Sequence, residues 1–357
     1  MLKLENISIT LGEFSLHDVS LEIENGEYIA IIGKTGAGKT ILLETLAGIY
    51  SQESGSIMLN GREITGVPPK DRSITMVYQD YMLFPHLTVG ENIGFGLKNR
   101  HVDPAIISEK VREVAEIFAI SHLLHRHPGT LSGGEKQRTA ISRAIVMEPD
   151  VLLLDEPLSA LDTQTRAKLK TELKKLHSRF KTTIIHITHN FDEVFSLADR
   201  VAIMEDGQIL QVGSPDEVFR RPSSDRVAKF VGMKNIFECD CRPEGGKTFV
   251  HMDGHEMVSS GILPSSHKGL RAMAAVRPED IEIYPEMPAG RSENVFPGTV
   301  ENITGSGAFF LVIVNCSRPF EVFLSRQQFS SLNISESDRV YLSFSPDSLH
   351  LFSVEES

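Results

Sequence analysis

Residues 28–40 read Tyr28-Ile-Ala-Ile-Ile-Gly33-Lys-Thr-Gly-Ala-Gly-Lys39-Thr40. Five consecutive apolar residues, Tyr28 to Ile32, predict a short strand buried on both faces. The next eight residues satisfy G-x-x-x-x-G-K-[ST], whose glycines let backbone N–H groups close around an anion. Beyond them Ile41, Leu42, Leu43, Leu46 and Ala47 fall on a helical stripe that ends at Gly48. Strand, glycine loop and helix in this order make a phosphate cradle, with the helix N-terminus adding a favourable dipole. Gly33, Lys34, Thr35, Gly36, Ala37, Gly38, Lys39 and Thr40 are therefore candidate nucleotide contacts. Lys39 would supply a compact positive charge to the β- and γ-phosphates, and the Thr40 hydroxyl would ligate Mg²⁺.

Further along, Val151-Leu-Leu-Leu-Asp155-Glu156 places two carboxylates at the end of another apolar run. Asp155 is suited to hold Mg²⁺ through its waters, and Glu156 to polarise an attacking water as general base. Gln79 follows a strand-like stretch and is a candidate sensor of the γ-phosphate or of Mg²⁺. His189 follows the apolar run 183–188 and could hydrogen-bond the γ-phosphate. Asp162, in Ser159-Ala-Leu-Asp162, could shape the neighbouring site. Each of the three is unremarkable alone; their order and distance from the phosphate loop give them meaning.

The remaining landmarks organise the chain. Residues 2–9 and 16–24 alternate apolar and polar, which predicts an antiparallel pair. From about 88 to 147 the pattern is mainly helical, with Val111, Val114, Ala115 and Phe118 on one stripe. Then strand-like and helical segments alternate: 151–154, 163–179, 183–188, 191–198, 201–204. Such alternation predicts an α/β layer with a largely parallel sheet and an inserted helical subdomain. After about residue 232 short alternating segments are separated by Gly, Pro and Ser, as in a small all-β domain. A faint repeat runs through it: Asn235-Ile-Phe-Glu-Cys resembles Asn294-Val-Phe-Pro-Gly, and residues 276–283 are echoed by 344–351.

Composition narrows the classes. The formal net charge is −12 with no dense basic run, which argues against nucleic acid as a partner. No stretch approaches the roughly 20 apolar residues that span a bilayer, and the N-terminus lacks a signal pattern, so a cytosolic protein is expected. Cys239, Cys241 and Cys316 form no disulfide framework. Cys239 and Cys241 stand two apart and should share one strand face, without a second pair to complete a metal site. His122, His125 and His127 lack an acidic or Cys partner nearby and read as a solvated helix end.

The octapeptide Leu131-Ser-Gly-Gly-Glu-Lys-Gln-Arg138, taken with these motifs, resembles the nucleotide-binding subunits of ATP-binding-cassette importers over the whole chain. The resemblance implies an α/β P-loop (RecA-like) ATPase with a helical subdomain over residues 1–232, and a C-terminal all-β, oligonucleotide-fold-like (TOBE/MOP-type) accessory domain over 233–357. It implies ATP and Mg²⁺ as cofactors and a second copy of the chain as partner. In that arrangement Ser132, Gly133 and Gly134 would complete the γ-phosphate site of the other copy, at the N-terminus of a helix starting near Gly133. It also implies a membrane permease docked on residues 80–89, an indirect link to a substrate-binding protein, and a peripheral place on the cytoplasmic face of the membrane. Two positions depart from the family. The usual adenine-stacking aromatic is replaced by Thr10-Leu-Gly-Glu-Phe14, leaving Leu11 or Phe14 as the contact. Lys34 stands where proline is common, and its side chain should point outward.

The C-terminal half looks most like molybdate- or tungstate-binding modules, with Thr304, Ser306 and Ser345 as candidate contributors to an oxyanion site between paired subunits. A structural or dimerising role for this domain stays open beside that reading. So does another cargo: sulfate, iron, polyamine or sugar. A soluble cassette ATPase acting on DNA or ribosomes is disfavoured, because long coiled coils and a second cassette are both missing from the sequence.

Overall fold

The computed structural model describes residues 1–252, 254–261, 271–288, 290 and 293–353. The chain divides into two compact units, Met1–Pro215 and Asp216–Ser357.

The first unit opens with β1 (Leu2–Leu11) and β2 (Phe14–Ile23), an antiparallel hairpin closed by Leu11 opposite Phe14. Next come β3 (Tyr28–Ile32), α1 (Lys39–Ala47), β4 (Ser54–Leu59), β5 (Arg62–Glu63) and β6 (Ile74–Val77). The helical insertion holds α2 (Val89–Asn99), α3 (Pro104–Ile117) and α4 (Gly133–Ile145). The unit closes with β7 (Val151–Asp155), α5 (Thr163–Phe180), β8 (Thr183–Ile187), α6 (Phe191–Leu197), β9 (Arg200–Glu205) and β10 (Gln208–Gly213).

Two sheets result. One is antiparallel, in the order β2-β1-β4-β5; the other runs β10-β9-β3-β8-β7-β6, parallel except at β10. Every residue of β3, β7 and β8 is buried, as expected where a parallel sheet is covered on both faces. One core packs the hairpin sheet and α1 against the parallel sheet through Leu4, Ile7, Leu42, Leu46 and Ile185. A second core joins the helical insertion to the sheet's other side through Phe118, Ile141, Leu152 and Leu173.

Helix starts are set locally. Thr88 and Ser132 each form a capping box, with Glu91 and Glu135 respectively. Asp103 precedes Pro104 at the first turn of α3. The three-histidine segment is not an α-helix end as expected. It is a single 3-10 turn over Ser121–Leu123 followed by irregular chain, and a second 3-10 turn starts at Pro128.

The second unit carries α7 (Pro215–Arg220), α8 (Asp225–Phe230), β11 (Asn235–Glu244), β12 (Lys247–Met252), β13 (His255–Ser259), β14 (Arg271–Val276) and β15 (Glu282–Tyr284). After these come β16 (Val295–Ser306), β17 (Phe309–Asn315), β18 (Pro319–Ser325), α9 (Arg326–Leu332), β19 (Arg339–Ser343) and β20 (His350–Ser353). The sheets are ordered β13-β12-β11-β14-β20 and β15-β19-β16-β17-β18. The faint sequence repeat is thus a structural one: five strands in the same order occur twice, and the halves exchange their last strands.

The repeated asparagines explain the register. Asn235, buried, donates to the Glu321 carbonyl at 2.9 Å and accepts from its N–H at 2.7 Å. Asn294, equally buried, does the same to Val258 at 2.8 and 2.7 Å. Each side chain acts as a one-residue strand partner for the other half. Cys239 and Cys241 do share a face, with sulfurs 3.7 Å apart in the apolar core.

Candidate functional site

Parallel pairing sets Ile31 and Asp155 both opposite Ile187, and Val77 opposite Leu154. The C-terminal ends of β3, β8, β7 and β6 therefore lie side by side. From them emerge the phosphate loop, His189, Asp155-Glu156 and Gln79. The carboxyl ends of parallel strands are where open α/β sheets bind ligands, and four sequence motifs far apart in the chain meet there.

The loop's shape depends on its glycines. A β-carbon on Gly33 would come within 2.0 Å of the Met204 carbonyl oxygen. Gly38 holds φ 92°, which a side chain resists. Ala37 N–H bonds back to the Lys34 carbonyl at 3.2 Å. By contrast, the N–H groups of Thr35, Gly36, Gly38, Lys39 and Thr40 have no acceptor among the described residues. Five donors around one concavity, three of them leading into a helix, form a cradle for phosphate oxygens.

Lys39 is buried, and its ammonium donates to the carbonyls of Gly33 and Lys34, each at 2.8 Å. Burial lowers its pKa, while Glu156 and Asp155 pull it back up. Lys34 does not merely point outward: its Nζ meets Glu205 Oε1 at 2.6 Å, which ties the exposed part of the loop to the end of β9.

Thr40 Oγ1 donates to Asp155 Oδ2 at 3.1 Å. Burial raises the Asp155 carboxyl pKa, Thr40 and Lys39 oppose this, and Glu156 reinforces it. Glu44, one turn after Thr40 on α1, is raised by burial and by the charge of Asp155. Sequence reading missed Glu44, although its i+4 spacing from Thr40 was a visible signal. Two carboxylates act on Lys39, and Glu44 adds its charge beside Asp155, a balance that favours a divalent cation. Among the described residues no three His, Cys, Asp or Glu converge as a metal cage. Mg²⁺ keeps several waters and phosphate oxygens and takes few ligands from protein, so a hydroxyl beside a carboxylate fits it. Thr40 and Asp155 are the residues that would hold it.

Glu156 has a left-handed backbone, φ 44°, secured by its N–H donating to the Ile187 carbonyl at 3.0 Å. Such strain in a non-glycine residue costs on the order of 1–3 kcal/mol and gathers at functional sites. The turn aims the carboxylate so that Oε2 stands 3.4 Å from His189 Nδ1. His189 is itself largely exposed, 66%, and free to meet a ligand. Gln79 is exposed and donates to Ser159 Oγ at 3.4 Å, and that hydroxyl donates to the Glu156 carbonyl at 2.9 Å. Ser159 thus joins Gln79 to the Glu156 turn, a connection that spacing alone could not reveal.

Ser132, Gly133 and Gly134 are placed elsewhere. Among the described residues none has a hydrogen bond to the phosphate loop. Ser132 and Gly133 are exposed at the start of α4. The Glu135 carboxylate accepts from Ser132 N and Oγ at 2.8 and 2.9 Å, which holds its pKa down. Gly134 is pressed on α5: a β-carbon would lie 2.5 Å from Thr165 Cγ2. Asp162 caps α5 through Gln164 and Thr165 N–H at 3.0 and 3.1 Å, so in one copy it supports the helix packed against the Leu131–Arg138 octapeptide. Arg138 Nε meets Glu172 Oε2 at 3.0 Å across the same helix pair.

Phe14, half exposed, has a ring atom 3.9 Å from where a β-carbon of Gly36 would stand, while Leu11 packs into the core. Residues 80–87 are gripped from two sides. Asn92 bonds the Phe84 N–H and the Phe84, Leu87 and Thr88 carbonyls, and Arg143 of α4 bonds the carbonyls of Tyr81 and Met82.

In the second unit the three hydroxyl candidates do not converge. Thr304 bonds Asn302 Oδ1 at 2.8 Å, and Ser345 accepts from Asp347 N–H at 3.3 Å. Val295 pairs with Ser343 at one end of β16, whereas Thr304, nine residues on (304 − 295), pairs with Leu311. That is on the order of 30 Å of strand, far more than one tetrahedral ion spans. Ser306 lies further along still, exposed at the end of β16.

Comparison with known proteins bears on all of this. A family profile described as ABC transporter matches residues 16–159, and one described as TOBE domain matches residues 274–352. The chain is 43% identical over 353 residues to a molybdate/tungstate import ATP-binding protein of Pyrococcus horikoshii, covering 99% of this chain and 100% of that protein. It is 36% identical over 361 residues to a sulfate/thiosulfate import ATP-binding protein of Halalkalibacterium halodurans, covering 99% and 98%. Among solved structures, a dimeric ATP-binding cassette in a post-hydrolysis state with ADP and Pi matches with TM-score 0.55 and 27% identity, covering 60% of this chain and 99% of that chain.

Proposed function

Because the chain belongs to the ATP-binding subunits of ABC transporters, we propose that it hydrolyses ATP to drive import of molybdate or tungstate through a separate permease. The cargo reading is carried by one observation: identity to a molybdate/tungstate import subunit is 43% along its whole length, against 36% to the sulfate/thiosulfate subunit. Deleting the gene in its host should abolish accumulation of both metals at submicromolar supply, measured by elemental mass spectrometry, with sulfate uptake unchanged. Normal accumulation in the deletion strain would refute the cargo.

The geometry supports the following reading of the reaction. ATP lies in the Gly33–Thr40 cradle, Thr40 and Asp155 would hold Mg²⁺ to neutralise phosphate charge, and adenine rests on Phe14, the exposed ring beside the loop. The Lys39 ammonium neutralises charge on the β- and γ-phosphates. Glu156 takes the proton of the attacking water, with Gln79 and His189 on either side of the γ-phosphate. Ser132, Gly133 and Gly134 stay outside their own copy's site and serve the second copy's γ-phosphate. Residues 80–89 form the permease-docking surface. The grip of Arg143 on Tyr81 and Met82 lets that surface move with α4, whose N-terminus faces the partner's ATP. The ATPase is assigned to residues 1–232 and the accessory role to 233–357. The subunit works at the cytoplasmic face of the membrane, and no described helix is long and apolar enough to cross it.

Control by cytosolic oxyanion is proposed as a property of paired second units, since Thr304 and Ser345 lie too far apart in one. Titrating molybdate and tungstate into the chain, with sulfate as control, should give a heat or stability change for the first two only. No change with either would leave this domain a purely structural role.

A further inference from the structure

We infer that Glu193 is a positioning residue for His189, its buried carboxylate fixing the turn that presents the imidazole; this rests on the reading of His189 as a γ-phosphate contact.

His189 lies just beyond the last ladder residue of β8, on a three-residue link to α6. Among the described residues its exposed ring has one ion-pair contact, Glu156 at 3.4 Å, so its place depends on the residues either side. Both hang on one carboxylate. Glu193, 4% exposed, accepts the Thr188 hydroxyl proton on Oε2 at 2.6 Å. The same Thr188 oxygen accepts the Asn190 N–H at 3.1 Å. Asn190 in turn caps α6, the helix that carries Glu193, through the Asp192 N–H at 2.9 Å. The link is thereby closed into a ring of hydrogen bonds with His189 at its open side.

The ring is anchored from behind. His186 Nε2 stands 3.6 Å from Glu193 Oε2, and its Nδ1 is 2.9 Å from the Tyr28 hydroxyl. Burial brings the His186 pKa down to about 3, so the ring is neutral. The neutral ring carries one proton; placed on Nε2 it faces the carboxylate, and the Tyr28 phenol then donates to Nδ1. Tyr28 begins β3, the strand that delivers the phosphate loop. The position of His189 is thus referenced to the same strand that places Lys39. Burial raises the Glu193 carboxyl pKa, and Thr188, Arg166, His189 and Lys170 oppose it. A carboxylate is costly to bury without such partners, and holding this turn accounts for its presence.

The test is a double-mutant cycle on steady-state ATPase of the full chain. Glu193→Ala should lower kcat by about tenfold or more with KM for ATP changed less than about threefold, and should add less than about twofold to the loss caused by His189→Ala alone, because coupled residues are non-additive. Glu193→Gln, which keeps an oxygen for Thr188, should retain most of the rate. If Glu193→Ala does not fold, Thr188→Val runs the same cycle with the hydroxyl removed, and Thr188→Ser should restore the rate. Equal losses in the presence and absence of His189, or a raised KM with unchanged kcat, would overturn the inference. Full activity of His189→Ala would instead overturn the reading of His189 itself, and the inference with it.

Discussion

At Glu156 a single residue carries both strain and chemistry. The left-handed φ of 44° and the bond to Ile187 direct its carboxylate away from β7 and toward His189. Replacement by glutamine keeps the size and the backbone turn but removes the base. Glu156→Gln should therefore lower kcat by about 100-fold or more while ATP binding persists. The ATP-bound dimer should accumulate, visible by light scattering. Rapid turnover by this variant would remove Glu156 from the role of base. The motif positions of Lys39, Thr40, Asp155 and Glu156 were legible in sequence because local strand and loop geometry fixes them. Glu44 was signalled only by its spacing from Thr40, and Ser159 not at all, since its relevance comes from contact with Gln79 far along the chain.

Among elements, the pairing of α4 with α5 is the most sensitive to one atom. Gly134 has no room for a β-carbon, with the Thr165 methyl 2.5 Å from its place. Thr165 cannot simply rotate, because its hydroxyl is engaged by Asp162. Overpacking of this kind costs about 1–3 kcal/mol and would tilt the N-terminus of α4. Gly134→Ala should thus impair ATP-driven dimerisation and hydrolysis. Adding Thr165→Ser, which removes the methyl and keeps the hydroxyl, should restore both. Failure of this rescue would show that the glycine is required by the ligand rather than by helix packing. Asp162 was flagged by its order in the chain, and the structure adds that it caps α5, the helix packed against Gly134.

Across the whole molecule, two devices set stability. In the second unit Asn235 and Asn294 hold equivalent places, so Asn235→Ala and Asn294→Ala should each cost about 1–3 kcal/mol, by similar amounts in denaturant unfolding. A loss at one position only would break the structural repeat. In the first unit buried His186 titrates near 3 in the folded chain, below the ordinary value of about 6.5. Between these values the unfolded chain binds a proton that the native one does not. This contribution is complete above pH 6.5 and is lost as pH falls toward 3, at up to about 1.4 kcal/mol per pH unit. Replacing His186 with glutamine should flatten the acid limb of stability; an unchanged slope from pH 4 to 7 would contradict it.

The sequence by itself determined the phosphate loop, the carboxylate pair after β7, the alternation that makes a parallel sheet, and the presence of a repeat after residue 232. These are consequences of local spacing and of burial periodicity. Only the tertiary structure decided that Gln79, Glu156 and His189 share one sheet edge and that Ser132–Gly134 do not join them. It also decided that Phe14 rather than Leu11 faces the loop, and that Thr304 and Ser345 cannot meet on one ion within one copy. Each of those facts depends on strand order and register. They arise from hydrogen bonds between segments distant in the chain, or from the length of a strand that spacing in sequence does not measure.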